Sequence, residues 1–165
     1  MGLVRTIDAP LAGDERIHLV TIDWVRGKWS GVPGKYSREH LWHFAGKLNL
    51  KVTDALAPMA YRDTVRLDPL KSYVATVASA HMLAWLHAAF SHGVEVERYL
   101  DAAEGVLSIL PDRRSWVSEV ILKPHITFHP DQDVEAKVIT HFHELASRDC
   151  FIARSIKTKV TVTVP

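Results

Sequence analysis

"DPLKSYVATVASAHMLAWLHAAFSHG", residues 68–93, is the stretch whose reading decides the fold. Asp68 has the short acceptor side chain of an N-cap, and Pro69 suits the first helical position, where no backbone N–H is needed. Gly93 suits the C-terminal stop. The roughly 23 residues between them would span about 34 Å as an α-helix. Val74, Val77, His81, Ala84, Trp85 and Ala88 form one stripe. Tyr73, Thr76, Ala80, Leu83 and His87 form a neighbouring one. A helix apolar on so many sides is expected to be central and buried, with its alanines allowing close approach of other elements. His81 and His87 interrupt the apolar run, so a core helix is expected rather than a membrane span.

Working outward, residues 18–25, "HLVTIDWV", alternate in polarity and read as a strand. The Gly- and Pro-rich "RGKWSGVPGKYS" after them reads as a loop. Short strands are expected at 41–45 and 49–53. Beyond the helix, 99–109 and 116–129 read as two strands joined by a hairpin turn at "PDRRS". In the second strand Ser118, Val120, Leu122, Pro124, Ile126 and Phe128 face one way. Residues 133–148 form an amphipathic helix with Val134, Val138, Phe142 and Leu145 on one face and Asp133 as a cap. Residues 156–164 alternate strictly and read as a final strand. With no repeat and no boundary signal, residues 1–165 are expected to form a single α+β domain with antiparallel strands.

The chain has 165 residues, long enough to bury a core without disulfides or metal. Its formal charge is +1 and its basic residues are scattered, so no nucleic-acid or anionic-membrane partner is expected. The single cysteine, Cys150, cannot form an intramolecular disulfide. The first residues, "MGLVRTIDAPLAGDERIH", lack the apolar run of a signal peptide, and a cytoplasmic location is expected.

The chemical candidates each have a bland counterpart. His81 reads as a general base in a pocket, or as a neutral core histidine held by one hydrogen bond. Cys150, in "SRDCFIARS", reads as a thiolate near Arg148 and Arg154, or as a small buried hydrophobe. Ten histidines raise the question of a metal, but no HExxH and no zinc-type Cys/His spacing occurs. His40 and His43 are three apart, and His141 and His143 are two apart, which would splay them on a helix. There is no GxGxxG after a strand, no P-loop and no GxSxG elbow. No metal and no cofactor are expected.

Four stretches, "YSREH" (36–40), residues 68–107, "VILKPHITF" (120–128) and "CFIARSIKTKVTV" (150–162), together resemble the OsmC/Ohr superfamily of thiol-dependent organic hydroperoxide reductases and their relatives. The resemblance covers most of the chain in family order and is closest to the branch with a CFIA.S motif. It implies an OsmC-like α+β fold: antiparallel sheets, a long central helix, and an intertwined homodimer with its sites at the subunit interface. It also implies a two-cysteine chemistry. The peroxidatic cysteine of that family lies in a run like ASCHML, where this sequence has "ASAHML", so the position falls on Ala80. The activating glutamate falls on Leu70. Cys150 matches the resolving cysteine, His81 the histidine that follows the peroxidatic position, and Arg38 the activating arginine.

The resemblance therefore implies a site without its first thiol and its carboxylate. What remains is expected to be an apolar pocket lined by Leu70, Tyr73, Ala80 and His81, with Cys150 and Arg38 at its edge. Three uses stay open. One is binding of a small apolar or weakly acidic ligand. Another is a one-cysteine organic hydroperoxide or thiol reductase of the oxidative stress response, using Cys150 and an external thiol. The last is an enzyme of another class with His81 as base.

Overall fold

A computed structural model describes residues 20–23, 25, 39–44, 48–53 and 67–164. The chain divides into two compact units, Met1–Leu67 and Asp68–Pro165. In the first, β1 (Val20–Asp23), β2 (His40–Phe44) and β3 (Asn49–Val52) form an antiparallel sheet in the order β1-β2-β3. Ile22 lies opposite Trp42, and Trp42 opposite Leu50. The strands expected at 41–45 and 49–53 are both present, each offset by no more than a residue. The loop expected after Val25, together with Arg38, lies outside the described residues.

The second unit is built around α1 (Pro69–Ser91). The Asp68 carboxylate accepts from the Lys71 N–H at 2.8 Å, and Asp68 itself is extended, at φ −138° and ψ 164°. At the other end Gly93 takes φ +74°, the left-handed conformation that a stop residue needs. The Val94 N–H then closes back on the Ala89 carbonyl at 3.0 Å. Four residues of the helix are fully buried, Val77, His81, Trp85 and Ala89. Each is four positions from the last, so they form one ridge along the axis.

That ridge meets two clusters. Trp85 and Ala89 pack with Phe142 and Ala146, under Val96, Tyr99, Ile126 and Phe128. The Trp85 and Phe142 rings meet edge to face, with centroids 5.7 Å apart. Val77 packs with Val120 and Leu122, flanked by Val160 and Val162. Each large apolar side chain so buried contributes about 1.5–3 kcal/mol. The helix is long and apolar enough to cross a membrane by length and composition, but this ridge is covered by protein. Burial on every side, as expected from the sequence, is not observed in the chain by itself: Leu83 is 62% and Phe90 55% exposed.

After α1 come β4 (Val96–Asp101), β5 (Glu104–Ile109), β6 (Ser115–Leu122) and β7 (Pro124–Phe128). The expected strands 99–109 and 116–129 are thus each two strands in different sheets. β4 pairs with β7 and β5 with β6, all antiparallel. The corner lies at Lys123: its N–H donates to Asp101 Oδ1 at 2.8 Å, and Pro124 has no N–H with which to continue the ladder. The hairpin at 111–115 is present, with Arg113 at φ 65°. Alternation along β6 and β7 follows the sequence reading, with Val120, Leu122 and Pro124 buried.

α2 (Ala136–Asp149) starts later than expected. Glu135 occupies the N-cap position with no side-chain cap bond, so Asp133 is not the cap. A short α3 (Phe151–Arg154), absent from the sequence reading, precedes β8 (Lys159–Val162). β8 pairs with β6 in parallel, the one parallel ladder among the strands described, beside the antiparallel pairs expected from the sequence. The architecture is α+β.

Candidate functional site

Cys150 sits where two helices meet. It ends α2, its N–H donating to the Ala146 carbonyl at 2.8 Å, and it begins α3, its Sγ accepting from the Ala153 N–H at 3.5 Å. The residue is 2% exposed. Beside it a cleft of about 990 Å³ runs between α1 and the α2–α3 junction. Ala80, Leu83 and Ala84 of α1 line one wall, and Leu145, Phe151 and Ile152 line the other, with Cys150. His87, His92, His141 and Arg148 are among its polar groups, with Thr76, Ser79 and Ser91. Arg148 is already engaged: its Nε and Nη2 donate to the Asp149 carboxylate at 2.7 and 2.8 Å, which holds that carboxyl below its usual range. The cleft therefore has apolar walls, a single sulfur and no carboxylate that is free of an arginine.

Ala80 and Cys150 share this cleft; the other candidates lie elsewhere. Ten residues separate position 70 from position 80, about 15 Å along the helix and about 80° around it. Leu70 consequently lines a second cleft with Tyr99, Asp101 and Gly105. Tyr73 packs against the Val77 cluster, and its hydroxyl lies 2.7 Å from Thr158 Oγ1. That threonine donates to the Val117 carbonyl at 2.8 Å, so the tyrosine is the donor of the pair. The single pocket combining Leu70, Tyr73, Ala80 and His81 is not observed: the four positions are spread over about 16 Å of α1, and only Ala80 among them lines the cleft beside Cys150.

His81 is 1% exposed and faces α2, not the cleft. Its Nε2 lies 3.0 Å from His143 Nδ1, and the two rings are within 7° of parallel. Burial lowers both imidazoles to about 4, and His81 adds to the lowering of His143. The pair is neutral at pH 7. His143 was not singled out as a partner in the sequence; its spacing from His141 was the available signal, since residues two apart on a helix face different ways. His141 accordingly lines the cleft while His143 is buried. His40 and His43 lie on β2. Among the described residues no group of three or more His, Cys, Asp or Glu side chains is placed to hold a metal ion.

No family model matches the chain, and no curated protein matches it. Solved structures do. An OsmC-like protein of unknown function from Vibrio cholerae superposes with a TM-score of 0.85 at 28% identity, over 92% of this chain and 100% of that one. The matches to solved structures support the OsmC/Ohr superfamily resemblance. More distant OsmC/Ohr structures share the fold. An organic hydroperoxide resistance protein OsmC from Legionella pneumophila gives a TM-score of 0.63 at 17% identity, over 91% of this chain and 97% of that one. The organic hydroperoxide resistance protein OhrB of Bacillus subtilis gives 0.63 at 14%, over 91% and 98%. The α+β, OsmC-like fold expected from the sequence is the observed one.

Proposed function

We propose that this OsmC-like protein has lost thiol peroxidase chemistry and binds a small apolar or weakly acidic ligand in the cleft beside Cys150. The observation that carries the reading is the shared cleft: Ala80 lines it together with Cys150, the chain's only cysteine. Two-thiol reduction of a hydroperoxide needs one sulfur to attack the O–O bond and a second to condense with the resulting sulfenic acid. A methyl group stands on the wall where the family resemblance puts the attacking sulfur. The walls left behind suit an apolar body, and His87 and His141 suit a weakly acidic end.

The protein acts as a cytoplasmic homodimer in this reading. Leu83 and Phe90 of α1 and Phe151 of α3 are 62%, 55% and 70% exposed in one chain, and a second copy would cover them. The test is hydroperoxide consumption with a dithiol reductant. No turnover above a protein-free control is expected. Rapid turnover that disappears in Cys150→Ser would instead establish the one-cysteine reductase, the second reading that the placement of Cys150 in the cleft supports.

A further inference from the structure

α2 supplies the wall of the Cys150 cleft that carries His141, Leu145 and Arg148, and it has a joint at each end. Before it, Gln132 Oε1 accepts the Glu95 N–H at 2.9 Å, and residues 133–135 then run on without helix or strand. Glu135 makes no side-chain cap bond. After it, Cys150 alone separates α2 from α3, at φ −66° and ψ 108°, outside the helical region. The two helices also belong to different clusters. Ile152 of α3 packs with Val77, Val120 and Leu122, and Phe142 and Ala146 of α2 pack with Trp85 and Ala89. α2 can therefore leave α1 by turning about Cys150 while α3 and the β5-β6-β8 sheet keep their place against it.

On α1, His81 lies between Val77 and Trp85, one from each cluster, and it meets His143 of α2. The two residues are 1% and 4% exposed. The hydrogen bond between their rings needs a proton on one nitrogen and a lone pair on the other. One added proton leaves that bond possible but buries a charge. A second sets N–H against N–H across 3.0 Å, between two imidazolium rings within 7° of parallel. The outer nitrogens, His81 Nδ1 and His143 Nε2, have no acceptor either. Among the described residues no carboxylate, lysine or arginine acts on the pair: burial alone lowers His81, and burial with His81 lowers His143. Such a pair is tolerated in its neutral form and takes up protons by coming apart.

We infer that the His81–His143 contact is a proton-operated latch, which holds α2 on α1 while both rings are neutral and, when both are protonated, frees α2 to turn about Cys150 and open the cleft. The latch is a regulation of the ligand cleft proposed above, and it rests on that reading only for what the opening would release. Its direction follows from where the protons go. In the open form both imidazoles reach water and bind protons near pH 6.5, whereas the closed pair binds them only near pH 4. Opening is thus favoured as the pH falls below 6.5, and it takes up two protons.

The experiment follows Cys150, which is 2% exposed when the latch is closed. The full chain is labelled with dithiodipyridine, a disulfide that reacts with thiols in mild acid, between pH 7 and pH 4.5. Rates are divided by those of the chain unfolded in urea at the same pH, which removes the ionisation of the thiol. The relative rate should be flat above pH 6.5 and rise by about tenfold or more at pH 4.5, with a slope approaching two protons. The Val120 amide on β6 should keep its protection from hydrogen exchange over the same range, because the opening is local. His81→Leu combined with His143→Leu should keep the rate flat throughout. A flat rate in the native chain would overturn the latch, and so would a slope of one proton or less, whether or not the double variant folds. An unchanged rise in a folded double variant would do the same. So would loss of Val120 protection in step with Cys150, the sign that the whole domain unfolds. None of these readouts involves a ligand, so the hydroperoxide assay tests the reading of the cleft separately.

Discussion

The outer ring nitrogens of His81 and His143, Nδ1 and Nε2 respectively, are buried and have no hydrogen-bond partner. Whichever ring donates across the 3.0 Å contact, a neutral pair leaves one N–H and one lone pair unsatisfied. Adding a proton would bury a charge as well. Both folded-state values lie near 4, below the usual 6.5, so between these limits the unfolded chain binds more protons than the folded one. Stability is therefore full above pH 6.5 and is lost as the pH falls toward 4. A loss of about 3–4 kcal/mol is expected for the first proton by pH 4, at about 1.4 kcal/mol for each unit of pKa. Urea unfolding from pH 7 to pH 4.5 should show this slope in the native chain. His81→Leu combined with His143→Leu, which removes both partners and leaves no orphan, should flatten it. An unchanged slope in the double variant would assign the acid sensitivity to other groups. In the sequence His81 could be read as a base or as a core residue. What decides between these is its partner, sixty-two positions away, and no local pattern encodes that distance.

The elements that were legible are those that carry their own punctuation. Asp68, Pro69 and Gly93 bracket α1, and the structure begins and ends it there. Asp68→Ala removes the acceptor of the Lys71 N–H and should cost about 1–2 kcal/mol, with Asp68→Asn recovering most of it. Full stability in Asp68→Ala, read by thermal or urea unfolding, would mean that packing alone holds the first turn. Gly105 makes a different demand, since any Cβ would overlap Val74 on α1. Gly105→Ala should destabilise by about 1–3 kcal/mol, an overpacking cost that the same unfolding measurement would read. The strand corner at Lys123 was not legible, because the alternation of Val120, Leu122, Pro124 and Ile126 runs through it unbroken while the partner strand changes. Nor was α3: four residues are too few to show a period. The parallel pairing of β8 with β6 is a long-range choice that alternation does not specify.

For the whole molecule, the superfamily resemblance and the class of fold were legible in the sequence, but not the arrangement of the site. Resemblance aligns positions along the chain, and Leu70, Ala80 and His81 are close in that alignment. A helix sets Leu70 about 15 Å along its axis from Ala80 and turns His81 about 100° away from it, so that of the three only Ala80 lines the Cys150 cleft. The exposed Leu83, Phe90 and Phe151 belong to the same scale. Light scattering at low micromolar concentration should find a dimer, and a well-folded monomer would count against the homodimer.

The central claim is that Ala80 stands at the position of the attacking sulfur, facing Cys150 across one cleft. Ala80→Cys adds one sulfur there, and treatment with one equivalent of an organic hydroperoxide tests it. The new thiolate would cleave the O–O bond and release the alcohol, and Cys150 would condense with the sulfenic acid and release water. A disulfide requires Cα atoms about 4.4–6.8 Å apart. Mass spectrometry of unreduced peptides should show an intramolecular disulfide joining position 80 to Cys150. A folded variant yielding only intermolecular or sulfinic products would contradict the claim.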